Sequence, residues 1–334
     1  DMDALPVTEQ VDLPFKSKVR TQYNGMDVGV MHACGHDNHV AILMGVAEVL
    51  SGMKAKIPGT VVFIFQPAEE GLGGAAAMVA DGALKDPRPS AIFGLHVFPG
   101  ALGSIGTRPG GMMAAADGIT MVVKGRQTHG SAPWSGVDPI VVASQIVIGL
   151  QTIASRQIDV TSAPAVITIG MIQGGNRGNI IPDSVVMLGT IRTFDPAMRA
   201  EIHTRVKRTA EDIAHSAGAT AKVDIQTGGL ITDNDAALLA KMTPTLQRTA
   251  GEGGFKTINP ITGSEDFPVY TRDIPGLFYL LGVSPKGSDP KTQPANHSPL
   301  FFADEAALPA GVRSMSNLAV DYLKSGGLKA TNVQ

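Results

Sequence analysis

The sequence predicts an α/β protein: a larger domain on a mainly parallel sheet, with a smaller, ferredoxin-like βαββαβ domain inserted into it. Three observations carry this. Apolar, β-branched runs without polar alternation, such as residues 60–65, read as strands buried on both faces. Segments of helical period separate those runs, the alternation expected of βαβ units. From about residue 116 to residue 227 the order becomes strand, helix, strand, strand, helix, strand, after which the first pattern resumes. At 334 residues two domains are expected, and 43% hydrophobic residues suffice for a core in each.

In chain order, residues 28–31 form a short apolar run. Asp37 is placed as the cap of a helix whose apolar positions Val40, Leu43, Met44, Ala47 and Leu50 recur at helical spacing. The strand at 60–65 ends at Gln66-Pro67; a glycine-rich turn, a helix near 75–81 and a strand at 91–97 follow. In the middle segment, a strand at 119–124 leads to a helix at 138–155 with Pro139 in its first turn. Strands at 165–172 and 185–193, a long amphipathic helix Pro196–Ser216 and a strand at 219–226 complete it. After Gly228-Gly229 come a helix Ala236–Ala250, an apolar strand Gly276–Gly282, a polar loop at 284–296 and a helix at 304–323. The boundaries are therefore 1–115 and 228–334 for the two parts of the larger domain and 116–227 for the inserted one.

Net charge is −3 with pI near 6.3, and no basic block occurs, so neither nucleic acid nor an anionic membrane is expected as a partner. A small molecule or peptide is the default ligand. No apolar run approaches the roughly 18 residues that span a bilayer; the longest, 139–150, is interrupted by Ser144 and Gln145. One cysteine excludes an internal disulfide. A cytoplasmic address is the expectation, with secretion or the periplasm left open because the chain opens at Asp1 without an initiator methionine and an upstream segment is expected.

In open α/β sheets, ligands sit beyond the carboxyl ends of the strands. The chain's one cysteine, Cys34, and His36 follow the first apolar run; Glu69 and Glu70 follow residue 65; His96 ends the third strand; His297 lies in the loop after the strand at 277–281. A thiol, three imidazoles and two carboxylates are thus expected at one sheet edge. These are ligands for zinc or manganese, with cobalt and nickel as alternatives. Five ligands exceed what one catalytic tetrahedral ion takes and suit two divalent ions sharing a water. Of two adjacent carboxylates, one can bind metal while the other takes a proton; chemistry alone leaves open which of Glu69 and Glu70 does which.

Five segments, in this order, resemble the M20 metallopeptidase family: Met31-His32-Ala33-Cys34-Gly35-His36-Asp37, Gln66-Pro67-Ala68-Glu69-Glu70-Gly71, Gly94-Leu95-His96-Val97, Gly263-Ser264-Glu265-Asp266-Phe267 and Asn296-His297-Ser298-Pro299. The closest match is its amidohydrolase branch of N-acyl-amino-acid, hippurate and auxin-conjugate hydrolases. The resemblance implies hydrolysis of a small amide, with Cys34, His36, Glu70, His96 and His297 holding two divalent cations and Glu69 as general base. It further implies that the satellite domain forms a homodimer and that His129, in Gly-Arg-Gln-Thr-His-Gly-Ser-Ala-Pro, stabilises the oxyanion. Asn179 resembles the family's substrate-contacting asparagine, and Arg192 could grip a substrate carboxylate in a bidentate fork. On the resemblance His32 and His39 are supporting or structural, and Asp3 is placed to orient a ligand. Family members carry a further segment, with a helix and the first strands of the sheet, ahead of the Asp-Met-Asp-Ala-Leu-Pro stretch. The rival readings are a dipeptidase or carboxypeptidase of the same family, and a non-catalytic metal-binding homologue.

Overall fold

The computed structural model describes residues 1–71 and 73–328, which divide into two units. One comprises 1–112, 232–259 and the chain from 266 onward; the other comprises 113–231 and 260–265.

The first unit opens with a hairpin of β1 (Arg20–Tyr23) and β2 (Met26–Gly29), registered Tyr23 to Met26. Asn24 and Gly25, at φ 51° and 76°, make its two-residue turn, the geometry that suits the twist of the flanking strands. Helix α1 (His36–Gly52) follows. Its cap is Gly35 in the left-handed region at φ 84°, not Asp37; Asp37 lies in the first turn, where its charge still favours the helix dipole. Glycine is needed there twice over, because a Cβ would also stand 2.4 Å from Val97 Cγ2. Ile42, Val46 and Leu50 recur on the buried face.

Residues 60–65 do not join a sheet. Their β-branched side chains favour an extended backbone, and Val61 and Phe63 pack on the core, yet among the described residues no neighbouring strand supplies a ladder. Helix α2 (Gly74–Ala80), β3 (Ile92–Phe98), β4 (Ile105–Thr107) and β5 (Gly110–Met113) follow.

The second unit runs β6 (Ala115–Lys124), β7 (Thr128–His129), α3 (Pro139–Thr152), β8 (Ala165–Gly174), β9 (Ile180–Ile181), β10 (Ser184–Thr193), α4 (Pro196–Ser216) and β11 (Thr220–Gly229). Its main sheet has the order β11-β6-β10-β8, every pair antiparallel. Asp138 caps α3 by accepting from Ile140 N–H, and Asp195 caps α4 by accepting from Met198 N–H; each is followed by proline at the first helical position. Alternate residues of β6 (Ile119, Met121, Val123) meet Ile146 and Leu150 of α3 and Ile202 and Val206 of α4 in one core.

Pro139–Gln157, which is α3 with a final π turn, is long and apolar enough by length and composition to cross a membrane, contrary to the sequence expectation. It packs here by one face, through Val142, Ala143, Ile146 and Leu150. Beneath α4, Asp117 of β6 is 1% exposed at its side chain. It accepts from Arg199 Nε (2.9 Å), Arg199 Nη2, His203 Nε2 (2.6 Å) and Gly228 N–H (3.0 Å).

Back in the first unit, β12 (Thr232–Asn234), α5 (Ala236–Ala250), β13 (Phe255–Thr257), β14 (Gly276–Gly282) and α6 (Leu308–Lys324) complete the chain. The sheet order is β13-β4-β14-β3. It is mixed rather than mainly parallel: β13–β4 and β14–β3 are parallel, but the three-residue β4 meets β14 antiparallel. Asn234 ties this sheet together, taking Phe278 N–H on Oδ1 at 2.6 Å and donating to Phe278 O at 2.9 Å.

Candidate metal centre

In the first unit the tight turn at Gly35 sets His36 as the first residue of α1 and leaves Cys34 just before it. β3 brings His96 alongside: Cys34 Sγ lies 3.4 Å from His96 Nε2. His297 is held in a left-handed turn at φ 72°, and its N–H donates to Ala33 O at 2.7 Å. Glu69 and Glu70 lie in the turn before α2, and Glu70 Oε1 is 3.2 Å from His297 Nε2 and 3.9 Å from His36 Nε2. In each of three overlapping sets, Cys34–His36–His96, Cys34–Glu70–His297 and His36–Glu69–Glu70, the candidate ligand atoms lie within 4.8 Å of one another. All five residues expected to hold metal are therefore together.

His36 is fully buried, yet neither ring nitrogen makes a hydrogen bond, Nε2 standing 3.4 Å from Asp1 Oδ2 and Nδ1 3.5 Å from Asp3 Oδ1, and buried Glu70 Oε1 makes none either. Buried polar atoms are rarely left so, because each forfeits its hydration. Burial, with the neighbouring His39, pushes the His36 pKa down to about 3. Burial likewise holds His96 well below its ordinary value, with His39 and His36 adding to it. Both rings are thus neutral lone-pair donors. Burial raises the Cys34 thiol well above its ordinary pKa, and Glu70 and Glu69 raise it further. A cation would satisfy the orphaned atoms and reverse the thiol's preference, so the donor set fits divalent metal. Burial, then the carboxylates of Glu70, Asp266 and Asp3, push Glu69 up to about 8.

Supporting residues complete the cluster. His39 Nε2 accepts Val97 N–H at 2.9 Å while Nδ1 meets Asp1, so both ring nitrogens are engaged and His39 is a buttress rather than a ligand. Asp3 Oδ2 accepts Glu70 N–H at 2.8 Å, a bond to the backbone of the turn. Burial raises the Asp3 pKa, but the N–H groups of Glu70 and Glu69 lower it on balance. His32 Nδ1 is 3.0 Å from Asp3 O. Sequence reasoning missed Asn296, whose Nδ2 donates to Cys34 O and Val97 O, each at 3.1 Å, tying three ligand-bearing segments. Its place beside His297 was the one available signal.

The second unit holds the other candidates. His129 is exposed on β7, which pairs with β9, and Gly130 N–H donates to Asn179 O at 2.8 Å. Its Nδ1 accepts Ser131 N–H at 3.1 Å, leaving Nε2 to carry the proton of the neutral ring. His129 and Asn179 are thus neighbours. Arg192 is apart from them, half-buried near the far end of β10 between Ala116 and Val166.

Residues 1–321 match peptidase family M20/M25/M40. The chain belongs to this family. The M20 assignment agrees with individual relatives. An IAA-amino acid hydrolase, ILR1-like 2, of Arabidopsis thaliana is 37% identical over 99% of this chain and 73% of its own length. N-acetylcysteine deacetylase of Bacillus subtilis is 38% identical over 97% of this chain and 80% of its own. A Bacillus subtilis M20 peptidase described as binding a dinuclear metal superposes with TM-score 0.80 at 36% identity, covering 96% of this chain and 79% of that one. The chain is an M20 hydrolase.

Proposed function

We propose that this M20 hydrolase is a metal-dependent amidohydrolase that cleaves N-acyl-amino acids or similar small amides to a carboxylic acid and an amine. The observation that carries this is the donor cluster itself: the ligand atoms of wholly buried His36 lie within 4.8 Å of those of Cys34 and His96 and of those of Glu69 and Glu70, and Glu70 lies as near to Cys34 and His297. The three overlapping ligand sets favour two divalent ions, zinc or manganese first. When bound, such ions supply Lewis acidity, polarising the amide carbonyl and lowering the pKa of water. Glu69 takes the proton from the attacking water and returns it to the departing amine nitrogen, so one water is consumed per amide broken. His129 donates from Nε2 to the developing oxyanion. Asn179 contacts the substrate, and Arg192 pairs with its carboxylate.

The second unit is read as the ferredoxin-like satellite, residues 116–227 in the sequence division. We assign it a homodimer interface, because α3 exposes Ile140, Val141 and Ile148 and the edge strand β8 exposes Val166, Met171 and Ile172. A reducing, cytoplasmic compartment suits the single thiol. A carboxypeptidase or dipeptidase is the second reading, favoured by 36% identity over 96% of this chain to thermostable carboxypeptidase 1 of Saccharolobus solfataricus. Acetyl-, benzoyl- and indoleacetyl-amino acids and dipeptides, assayed on chelated protein reloaded with each metal, separate the two. Glu69→Gln should keep its metal and lose ~10²–10⁴-fold in turnover; near-normal turnover would refute the mechanism.

A further inference from the structure

The turn carrying Glu69 and Glu70 bends sharply: Ala68 lies at φ 62°, a conformation a Cβ disfavours, and Gly71 and Gly73 lie at 79°, which glycine accepts. A Cβ on Gly74 would stand 1.7 Å from Pro67 O. Both ends of this turn converge on one carboxylate. Asp266, 200 positions after Gln66, accepts from Gln66 Nε2 at 2.8 Å on each oxygen and from Ala75 N–H at 3.0 Å on Oδ2. Tyr270 O–H donates to Gln66 Oε1 at 2.8 Å, which fixes the amide so that its NH₂ faces Asp266. Gln66 and Tyr270 are 5% and 3% exposed, so these bonds are shielded from water.

We propose that Asp266 is a positioning residue for Glu69: by holding Gln66 before the turn and Ala75 after it, it sets the Glu69 carboxylate against the Cys34–His36–His96–His297 cluster. The inference rests on the reading of Glu69 as the base. Bonds to an ionised acceptor are the stronger kind, and here they hold a bent segment that its own dihedrals do not favour.

The test uses the full chain loaded with manganese or zinc and an N-acyl-amino acid substrate. In Asp266→Asn an NH₂ must face either the Gln66 NH₂ or Ala75 N–H, so at least one of the three bonds to the carboxylate is replaced by a donor–donor contact and the clamp is loosened. Turnover should fall ~10–100-fold while KM and metal content hold within about twofold. The double variant Q66E/D266N moves the charge across the pair and restores donor to acceptor, with Tyr270 still donating to position 66; it should recover kcat to within about threefold of wild type. Wild-type kcat in D266N, or a double variant no better than D266N, overturns the proposal.

Hydrogen exchange at the Ala75 amide reads the clamp without activity: protection should be lost in D266N and regained in the double variant. Unchanged protection in D266N overturns the proposal, even where the wild type hydrolyses no substrate, the separate result that would count against the amidohydrolase reading. Should D266N fail to fold, Tyr270→Phe keeps the charge and frees only the amide; ~3–10-fold lower kcat with faster Ala75 exchange supports the clamp, and no change in either refutes it.

Discussion

Replacing Asp117 by asparagine keeps the shape of the side chain and removes an anion that four donors surround. Arg199 and His203 retain only 12% and 21% side-chain exposure, so water replaces the lost partner poorly. Breaking a buried ion pair from one side costs ~3–5 kcal/mol. The residual exposure of both cations puts D117N near the lower end, about 3 kcal/mol, a sizeable share of the ~5–15 kcal/mol that holds a typical domain folded.

The effect depends on pH with a fixed sign. Burial raises the Asp117 pKa, but Arg199, Gly228 N–H and His203 together hold it below its ordinary value of 3.8. A depressed carboxylate stabilises the fold fully above its unfolded pKa and loses that contribution as pH falls through the folded one. Urea unfolding followed by circular dichroism should therefore separate wild type from D117N by about 3 kcal/mol at pH 7, with the gap shrinking as pH drops below 3.8. A gap under about 1 kcal/mol at pH 7, or one unchanged in acid, would refute the reasoning.

Three other outcomes follow from the first unit. Cys34→Ser should lower metal affinity by ~10–100-fold or more with little change in the metal-free melting profile, read by competition against a chelator; equal metal retention would contradict the ligand assignment. Gly74→Ala should cost ~1–3 kcal/mol and reduce turnover, since the Cβ can be accommodated only by opening the Glu69–Glu70 turn; thermal melts with paired rate assays check both. Asn234→Ala strands the Phe278 N–H inside the sheet and should cost ~1–3 kcal/mol by urea titration.

Periodicity made the second unit legible almost strand by strand, because its strands and helices each present one buried face. Proline after aspartate marked the starts of α3 and α4 for the same reason. The first unit was less transparent. Residues 60–65 have strand chemistry, but a ladder depends on a neighbour that local sequence does not encode. Asn24-Gly25 between two extended runs was a hairpin signal that went unread, since both strands are exposed and lack an apolar face.

At the centre, the side chains that could bind metal or carry a proton were legible as Cys34, His36, Glu69, Glu70, His96 and His297. The residues that hold them did not. Gln66, Asp266 and Asn296 act through bonds spanning 191 to 262 positions, and such contacts leave no periodic trace.

The turn that donates from His297 to Ala33 also sets an order of events during synthesis. Asn296 lies 262 positions after Cys34, so at ~5–20 residues per second the first ligands leave the ribosome roughly 13–50 s before the last. The nascent chain in that interval has Cys34 and His36 but not His297, and residues 113–231 are made within it. The cluster can close only once His297 has emerged, which leaves the thiol open to other chemistry until then.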